Sequence, residues 1–265
     1  MSGIGCPLCG SVGWRRVLAG PGFTVVRCQA CGLARTEPLP RDDGDPGSDN
    51  GAFYERIYRE QREFRYALAG AMLEAVLAFG APGRLLDIGC GMGFFLDLAT
   101  RRGYACLGID RSPAATRFAR ERFKLDVWTG DFIQADVGVE TFDVVTMNHV
   151  LEHVTTPIAF LEKVRKALKP GGTVISSSPN FGGALPRILG GRWNGLQPTE
   201  HVWHFTPITY GAAFTRAGFA VAQVQVGSLR YAPGPGWKTT LVFWLARLST
   251  AVGRGDNLVL VGRAT

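Results

Sequence analysis

The sequence predicts an α/β protein: a doubly wound parallel sheet preceded by a small cysteine-rich metal ribbon. Three observations point to it. Short β-branched runs alternate with helix-period stretches from residue 84 onward. A glycine-rich turn follows the first of those runs, and two Cys-x-x-Cys pairs stand near the amino terminus. Composition agrees, because 265 residues with 46% hydrophobic and 19% charged, and 35 Gly and 15 Pro in no period, exclude a coiled coil, a collagen-like repeat and a disordered tail.

The ribbon is expected over residues 1–40. Cys6 and Cys9 lie in CPLCG and Cys28 and Cys31 in CQACG, with 18 residues between the pairs, which fits a four-thiolate zinc site. The glycine after each second cysteine permits the tight turn that aims both sulfurs at one ion. So few apolar residues occupy this stretch that it should need metal to fold. Four thiolates leave no open position for water, so the zinc reads as structural. No apolar run reaches the roughly 18–20 residues of a membrane span, and the first residues lack the regions of a signal peptide. A cytoplasmic chain is expected, in which a disulfide framework is the weaker reading of these cysteines.

Residues 41–82 read as a linker and a helical lid. The segment EPLPRDDGDPGSDNG (37–51) is rich in Pro, Gly and Asp. From Phe53 to Phe79 apolar residues return at helical spacing, predicting one or two helices that stop near Gly80.

The main domain is expected over 83–265. Its candidate strands are RLLDI (84–88), ACLGI (105–109), LDVWT (125–129), FDVVTM (142–147), GTVISSS (172–178), FAVAQVQV (219–226) and NLVLVG (257–262). Helices are expected near 94–102, 112–123, 157–168 and 206–217. Two connections, 179–205 and 227–256, are too long for plain turns and read as substrate loops.

Net charge is +7, and from Pro179 to Thr265 eight basic residues face only Glu200 and Asp256. Such a field favours an anionic partner, whether a phosphorylated small molecule, an acidic lipid or a nucleic acid.

Chemistry concentrates at the strand ends. GCGMGFF places Gly89, Gly91 and Gly93 where a strand turns into a helix, so the backbone can approach a ligand closely beside a helix N-terminus. Alone, this is either a nucleotide site or a tight structural turn. Asp110 ends the second strand, 19 residues after Gly91, where a carboxylate can accept from ribose hydroxyls. Asp131 follows the third strand in GDF, and Asn148 and His149 follow the fourth in MNH. All lie at strand carboxyl ends, the edge where open α/β sheets bind ligands. Dinucleotide binding competes, but the pattern is GxGxG followed by Phe-Phe and lacks the last glycine of that fingerprint.

On LLDIGCGMGFF, GID, GDF, FDVVTMNHVLEHV and LKPGGTVISSSPN, in this order, the chain resembles class I S-adenosylmethionine-dependent methyltransferases over roughly Arg84 to Arg263. The resemblance implies a seven-stranded Rossmann-like sheet whose last strand is antiparallel, with S-adenosylmethionine as cofactor. It implies that Asp87, Gly89 and Gly91 surround the methionine part, Asp110 holds the ribose, and Asp131 meets the adenine amino group. Phe132 would donate its backbone amide, Arg111 would lie along the ring, and Asn148 and His149 would face the sulfonium end. The acceptor implied is a small molecule or a glycan- or lipid-linked intermediate, methylated on oxygen.

An N-terminal zinc ribbon on this fold also resembles certain ribosomal-RNA methyltransferases. Against an RNA acceptor, MNHVLEHV lacks an Asn-Pro-Pro-Tyr-like motif and the basic residues cluster downstream among tryptophans. A non-catalytic cofactor-binding scaffold is a third reading.

All four histidines fall in two segments, HVLEH (149–153) and EHVWHF (200–205). HVLEH matches an inverted zinc-protease pattern, but its first histidine follows a buried strand directly, so we reject that reading. His201 and His204, with His149, are the candidate catalytic proton acceptors, and local hydrogen bonding is the plainer alternative for each. Trp193, Trp203, Phe181 and Phe205 are either a dry wall for the acceptor or ordinary core. Residues 237–252 place Trp237, Leu241, Trp244, Leu245 and Leu248 at helical spacing, which suits peripheral contact with an acidic lipid surface, a dimer interface or a pocket cover. Cys90 and Cys106 read as small apolar fillers.

Overall fold

A computed structural model describes residues 5–40, 51–79, 81–228 and 237–265. Most of the expected linker, 41–50, and part of the second long connection, 229–236, lie outside the described residues.

The chain opens with three antiparallel strands: β1 (Trp14–Gly20), β2 (Phe23–Cys28) and β3 (Ala34–Glu37). One long helix follows, α1 (Gly51–Leu77). Then come β4 (Arg84–Ile88), α2 (Phe94–Arg101), β5 (Ala105–Asp110), α3 (Pro113–Phe123), β6 (Val127–Thr129) and β7 (Phe142–Asn148). A single 3-10 turn at Leu151–His153 leads to α4 (Pro157–Ala167) and β8 (Leu168–Pro179). The chain continues through α5 (Ala184–Leu189), a second 3-10 turn at Gly190–Arg192, β9 (Trp203–His204), α6 (Pro207–Arg216) and β10 (Phe219–Gly227), and ends with α7 (Trp237–Ala251) and β11 (Asn257–Ala264).

Seven strands form one mixed sheet in the order β10-β11-β8-β7-β4-β5-β6. The pairs β4/β5, β4/β7 and β5/β6 are parallel, which brings the carboxyl ends of β4, β5, β6 and β7 to one edge. Every expected strand and helix is present. β8, however, begins at Leu168 rather than Gly172. The early part is tied down by Lys169 Nζ donating to Asp143 Oδ1 at 2.7 Å and by Arg263 Nη1 donating to the Gly171 carbonyl at 3.1 Å. The connection 179–205 carries α5 and β9, and the connection 227–256 carries α7.

The chain divides into two compact units. The first gathers Met1–Arg41, His149–Glu162 and Ser176–Gly262. Within it β9 pairs with β3, Ala34 opposite His204 and Arg35 opposite Trp203, so the ribbon becomes a four-stranded sheet, β1-β2-β3-β9. Val25 and Ala34 on that sheet bury against Phe181, Leu185, Trp193, Leu196 and Ala246. These aromatics are therefore core rather than an open wall, and Trp203 is buried too, its indole donating to the Val154 carbonyl at 2.8 Å.

The second unit gathers Asp42–Asn148, Lys163–Ile175 and Arg263–Thr265. Here α1 lays Ile57 and Ala69 against Met92, Phe94 and Phe118. Tyr66 Oη donates to Asp97 Oδ2 at 2.7 Å and Tyr58 stacks on Phe94, fixing α2 behind the glycine turn. No helix among the described residues is long and apolar enough to cross a membrane.

Candidate active site

The four ribbon sulfurs converge. Cys6 Sγ and Cys31 Sγ lie 3.5 Å apart, as do Cys9 Sγ and Cys28 Sγ, and all four lie within 4.8 Å of one another. Gly10 and Gly32 close the two knuckles at φ 77° and 83°, each donating its N–H to the carbonyl of the pair's first cysteine, at 2.8 and 3.0 Å. A β-carbon disfavours that left-handed backbone, which is why glycine stands there. For Cys28, burial is outweighed by the N–H groups of Cys31 and Ala30 and by neighbouring thiols, which bring its thiol down to about 7. The arrangement is compatible with a structural zinc held as four thiolates.

The second unit builds the anticipated ligand edge. Beyond β4, Gly89, Gly91 and Gly93 all hold positive φ, at 75°, 52° and 80°. A side chain at Gly91 would meet nothing within 4 Å, so that turn opens onto free space. Asp110 braces it, with Oδ2 accepting from the Gly91 N–H at 2.7 Å and Oδ1 from the Ser112 N–H at 2.9 Å. Each carboxylate oxygen has two lone pairs and can accept more than one donor.

Asp87 sits beneath, 5% exposed, its Oδ1 accepting from Thr146 Oγ1 at 2.7 Å. Burial, partly offset by that hydrogen bond and reinforced by the Asp110 charge, pushes the Asp87 carboxyl up to about 7. Bringing a cation beside it would reverse that cost.

Further along the edge, Asp131 Oδ1 accepts from the Ile133 N–H at 2.9 Å. Phe132 is buried beneath Lys163, whose Nζ lies 5.1 Å from the ring centroid and donates to the carbonyls of Ile133 and Ala135. Arg111 and Asn148 are exposed. A glycine turn open at Gly91, a carboxylate at the end of β5 and a second after β6 fit a nucleoside carrying a cationic amino-acid tail.

The first unit gathers three of the four histidines around one carboxylate. Glu152 is 1% exposed. Its Oε1 lies 3.1 Å from His149 Nδ1 and its Oε2 accepts from Ser178 Oγ at 3.0 Å. Burial alone would raise this carboxyl, but the His149 hydrogen bond and the nearby histidines hold it below its ordinary value. His149 itself adopts φ 55°, a left-handed backbone that few non-glycine residues hold and that histidine adopts more readily than most. His153 and His201 meet edge-to-face at 4.6 Å, and ligand atoms of Glu152, His153 and His201 lie within 4.8 Å of one another, a donor set that suits a divalent cation.

His201 and His204 are both buried. His201 Nδ1 donates to the Gly195 carbonyl at 3.1 Å, leaving Nε2 as the acceptor atom. Burial lowers His201 to about 4 and His204 to about 3. His204 Nε2 is engaged by Thr36 Oγ1 at 2.8 Å, on the ribbon.

Sequence reasoning missed Thr146, Ser178, Thr36 and Tyr54. Tyr54 Oη lies 3.0 Å from Ser112 Oγ, next to the Asp110 turn. None carries a local signal, because each is an ordinary hydroxyl brought in from a distant element.

Comparison with known proteins agrees with this architecture. A family model described as a methyltransferase domain matches residues 58–224. The mitochondrial ubiquinone biosynthesis O-methyltransferase of Schizosaccharomyces pombe is 34% identical over 132 residues, 47% of this chain and 46% of that protein. A ubiquinone biosynthesis O-methyltransferase of Cereibacter sphaeroides (strain ATCC 17029) is 37% identical over 129 residues, 45% of this chain and 52% of that protein. The chain thus spans about half the length of the curated relatives it matches. Among solved structures, a SAM-dependent methyltransferase from Archaeoglobus fulgidus aligns at TM-score 0.59 and 19% identity, covering 80% of this chain and 99% of its own. One from Mesorhizobium loti aligns at TM-score 0.53 and 21% identity, covering 73% and 96%. At these identities the structures establish the fold alone.

Proposed function

The chain belongs to the methyltransferase-domain family, and from that membership we propose that it transfers a methyl group from S-adenosylmethionine to an oxygen of a small-molecule acceptor. The observation that carries this reading is the edge at which Gly89, Gly91, Asp110, Asp131 and Asn148 end or follow their strands. The O-methyltransferase names of the relatives support oxygen as the receiving atom.

When bound, the cofactor supplies a methyl group on a sulfonium, an electrophile that asks for alignment and dryness more than for activation. Gly89 and Gly91 cradle the methionine part, and Asp87 offers its charge to the ammonium. Asp110 accepts the ribose hydroxyls while still holding the Gly91 turn. Asp131 takes the adenine amino group on its second oxygen, Phe132 offers its amide, and Arg111 covers the ring. Asn148 orients the reacting end.

Of the three candidate proton acceptors, His149 is the best suited. A carboxylate only accepts, so His149 Nδ1 carries its hydrogen toward Glu152 and Nε2 keeps a lone pair for the acceptor hydroxyl. Its side chain is 30% exposed. His201 keeps an acceptor atom but is enclosed, and His204 serves position through Thr36.

The domain reading is a zinc ribbon over 1–40, a linker and helical lid over 41–82 and the catalytic domain over 83–265, with acceptor selection in 179–205 and 227–256. A glycan- or lipid-linked acceptor at an acidic lipid surface is the finer form of the proposal. It is supported by α7, where Leu241, Trp244 and Leu248 are 49%, 56% and 62% exposed on successive turns.

The test incubates the zinc-loaded protein with methyl-labelled S-adenosylmethionine and host extract, then separates small molecules, lipids, RNA and protein. Label in the small-molecule or lipid fraction, abolished in Asp110→Ala, is expected. Label confined to RNA, or cofactor bound without any transfer, overturns the proposal.

A further inference from the structure

Strand pairing aligns one row of residues across the ribbon sheet. Arg15 lies opposite Arg27, Arg27 opposite Ala34, and Ala34 opposite His204. Partners in register point to the same face, so two guanidinium groups stand side by side on neighbouring strands, an arrangement that like charges disfavour. A third, Arg187 on α5, adds its positive charge to the field that Arg15 exerts on Arg27. Among the described residues none of these three arginines pairs with a carboxylate.

Arg27 is the unusual member. It is half-buried, its Nε is enclosed without a hydrogen-bond partner, and its guanidinium lies 5.6 Å over the Phe181 ring. Phe181 in turn packs at a tilt against His204, ring centroids 5.1 Å apart. A half-buried cation with an orphaned donor is costly unless something anionic completes it. Ala34, between Arg27 and His204 in the row, contributes no bulk.

We propose that Arg15, Arg27 and Arg187 form a binding site for a phosphoryl or pyrophosphoryl group carried by the acceptor, with Phe181 holding the Arg27 fork flat. Guanidinium forks match phosphate oxygens in bidentate fashion, and a partly desolvated fork beside a second cation is set up for such a ligand. The proposal rests on the small-molecule reading above and narrows it to a phosphorylated acceptor.

Binding can be tested without turnover, so failure here is separable from failure of the methyltransferase reading. Zinc-loaded full-length protein is titrated calorimetrically with inorganic pyrophosphate, with vesicles of phosphatidic acid in phosphatidylcholine, and with a short single-stranded RNA. Wild type is expected to bind pyrophosphate, and Arg27→Gln to bind it about tenfold or more weakly. Arg27→Gln should also melt higher than wild type in the absence of anion, because the repulsion is relieved, while binding of S-adenosylhomocysteine is unchanged. Arg187→Gln, on an exposed helix surface, gives the same loss without touching the ribbon. Arg27→Lys keeps charge but not the fork and should recover only part. Vesicle binding lost with pyrophosphate binding assigns the phosphate to a lipid headgroup and supports the site, whereas pyrophosphate binding alone assigns it to a soluble acceptor. Pyrophosphate binding that is absent, or equal in wild type and both Gln variants, overturns the proposal. So does RNA binding that needs Arg27 when pyrophosphate does not bind.

Discussion

In the proposed cofactor site, Asp87 makes binding of the cofactor's ammonium a proton-linked event. Its carboxyl is enclosed, receives one hydrogen bond from Thr146 and feels the charge of Asp110, and burial leads these effects in pushing it up to about 7. Against the ordinary value of 3.8, that difference is worth about 4 kcal/mol to the neutral form. In the ligand-free protein the folded state keeps a proton that the unfolded chain releases above about pH 4. The contribution of this carboxyl to stability is therefore greatest below that pH and falls as pH rises toward 7.

A ligand ammonium needs the ionised carboxylate. From pH 5 to pH 7 the ionised fraction climbs from about 1% to about 50%, so S-adenosylhomocysteine should bind about fifty-fold more tightly at pH 7. Isothermal titration calorimetry across this range, with proton release read from buffers of different ionisation enthalpy, measures both the slope and the number of protons released. Asp87→Asn should flatten the profile and remove the pH-dependent loss of melting temperature. A flat wild-type profile, or the same slope in Asp87→Asn, would refute the reasoning.

Three further expectations follow from the geometry. Gly93→Ala should lower the melting temperature by an amount equivalent to about 1–3 kcal/mol. At φ 80° the new β-carbon would lie 2.6 Å from Leu125 Cδ1 and 3.1 Å from Ala119 Cβ, so an unchanged calorimetric transition would contradict this. Chelation of zinc, or Cys28→Ser, should abolish amide protection in β1–β3 and at Trp203, whose strand is paired to β3, while β4 and β5 keep theirs. Protection that survives proven metal loss would show that the ribbon folds without it. Glu152→Gln preserves shape but withdraws the carboxylate facing His149. It should cut kcat by about 10–100-fold with S-adenosylhomocysteine affinity unchanged, and equal kcat in single-turnover assays would remove His149 from its assigned role.

Local chemistry was enough to read much of the fold. Alternating β-branched runs and helix-period stretches located all seven strands of the main sheet, because side-chain periodicity is set by the backbone itself. The knuckle glycines and the turn at Gly89, Gly91 and Gly93 were legible for the same reason, since glycine holds the left-handed backbone observed there without the penalty a β-carbon brings. Asp110 and Asp131 could be placed at one edge once the strands were known. The extent of β8 and the role of Phe181, Trp193 and Trp203 were not legible, because an aromatic residue reads alike as core or as pocket wall until its neighbours are known.

By itself, then, the sequence determined the α/β class, the strand inventory, the thiolate set and the ligand edge. Each depends on spacing within a few residues or on backbone freedom at single positions. Only the tertiary structure decided that Trp203 and His204 extend the ribbon sheet and that Glu152 joins His149 to Ser178. It also made the charges of Arg15 and Arg187 bear on Arg27, with no carboxylate paired to any of the three among the described residues. Thr36 and His204 are 168 positions apart in the chain yet 2.8 Å apart in space. No local pattern encodes such a pairing, since strand register and long-range packing are set by the burial of whole faces rather than by the residues that finally meet.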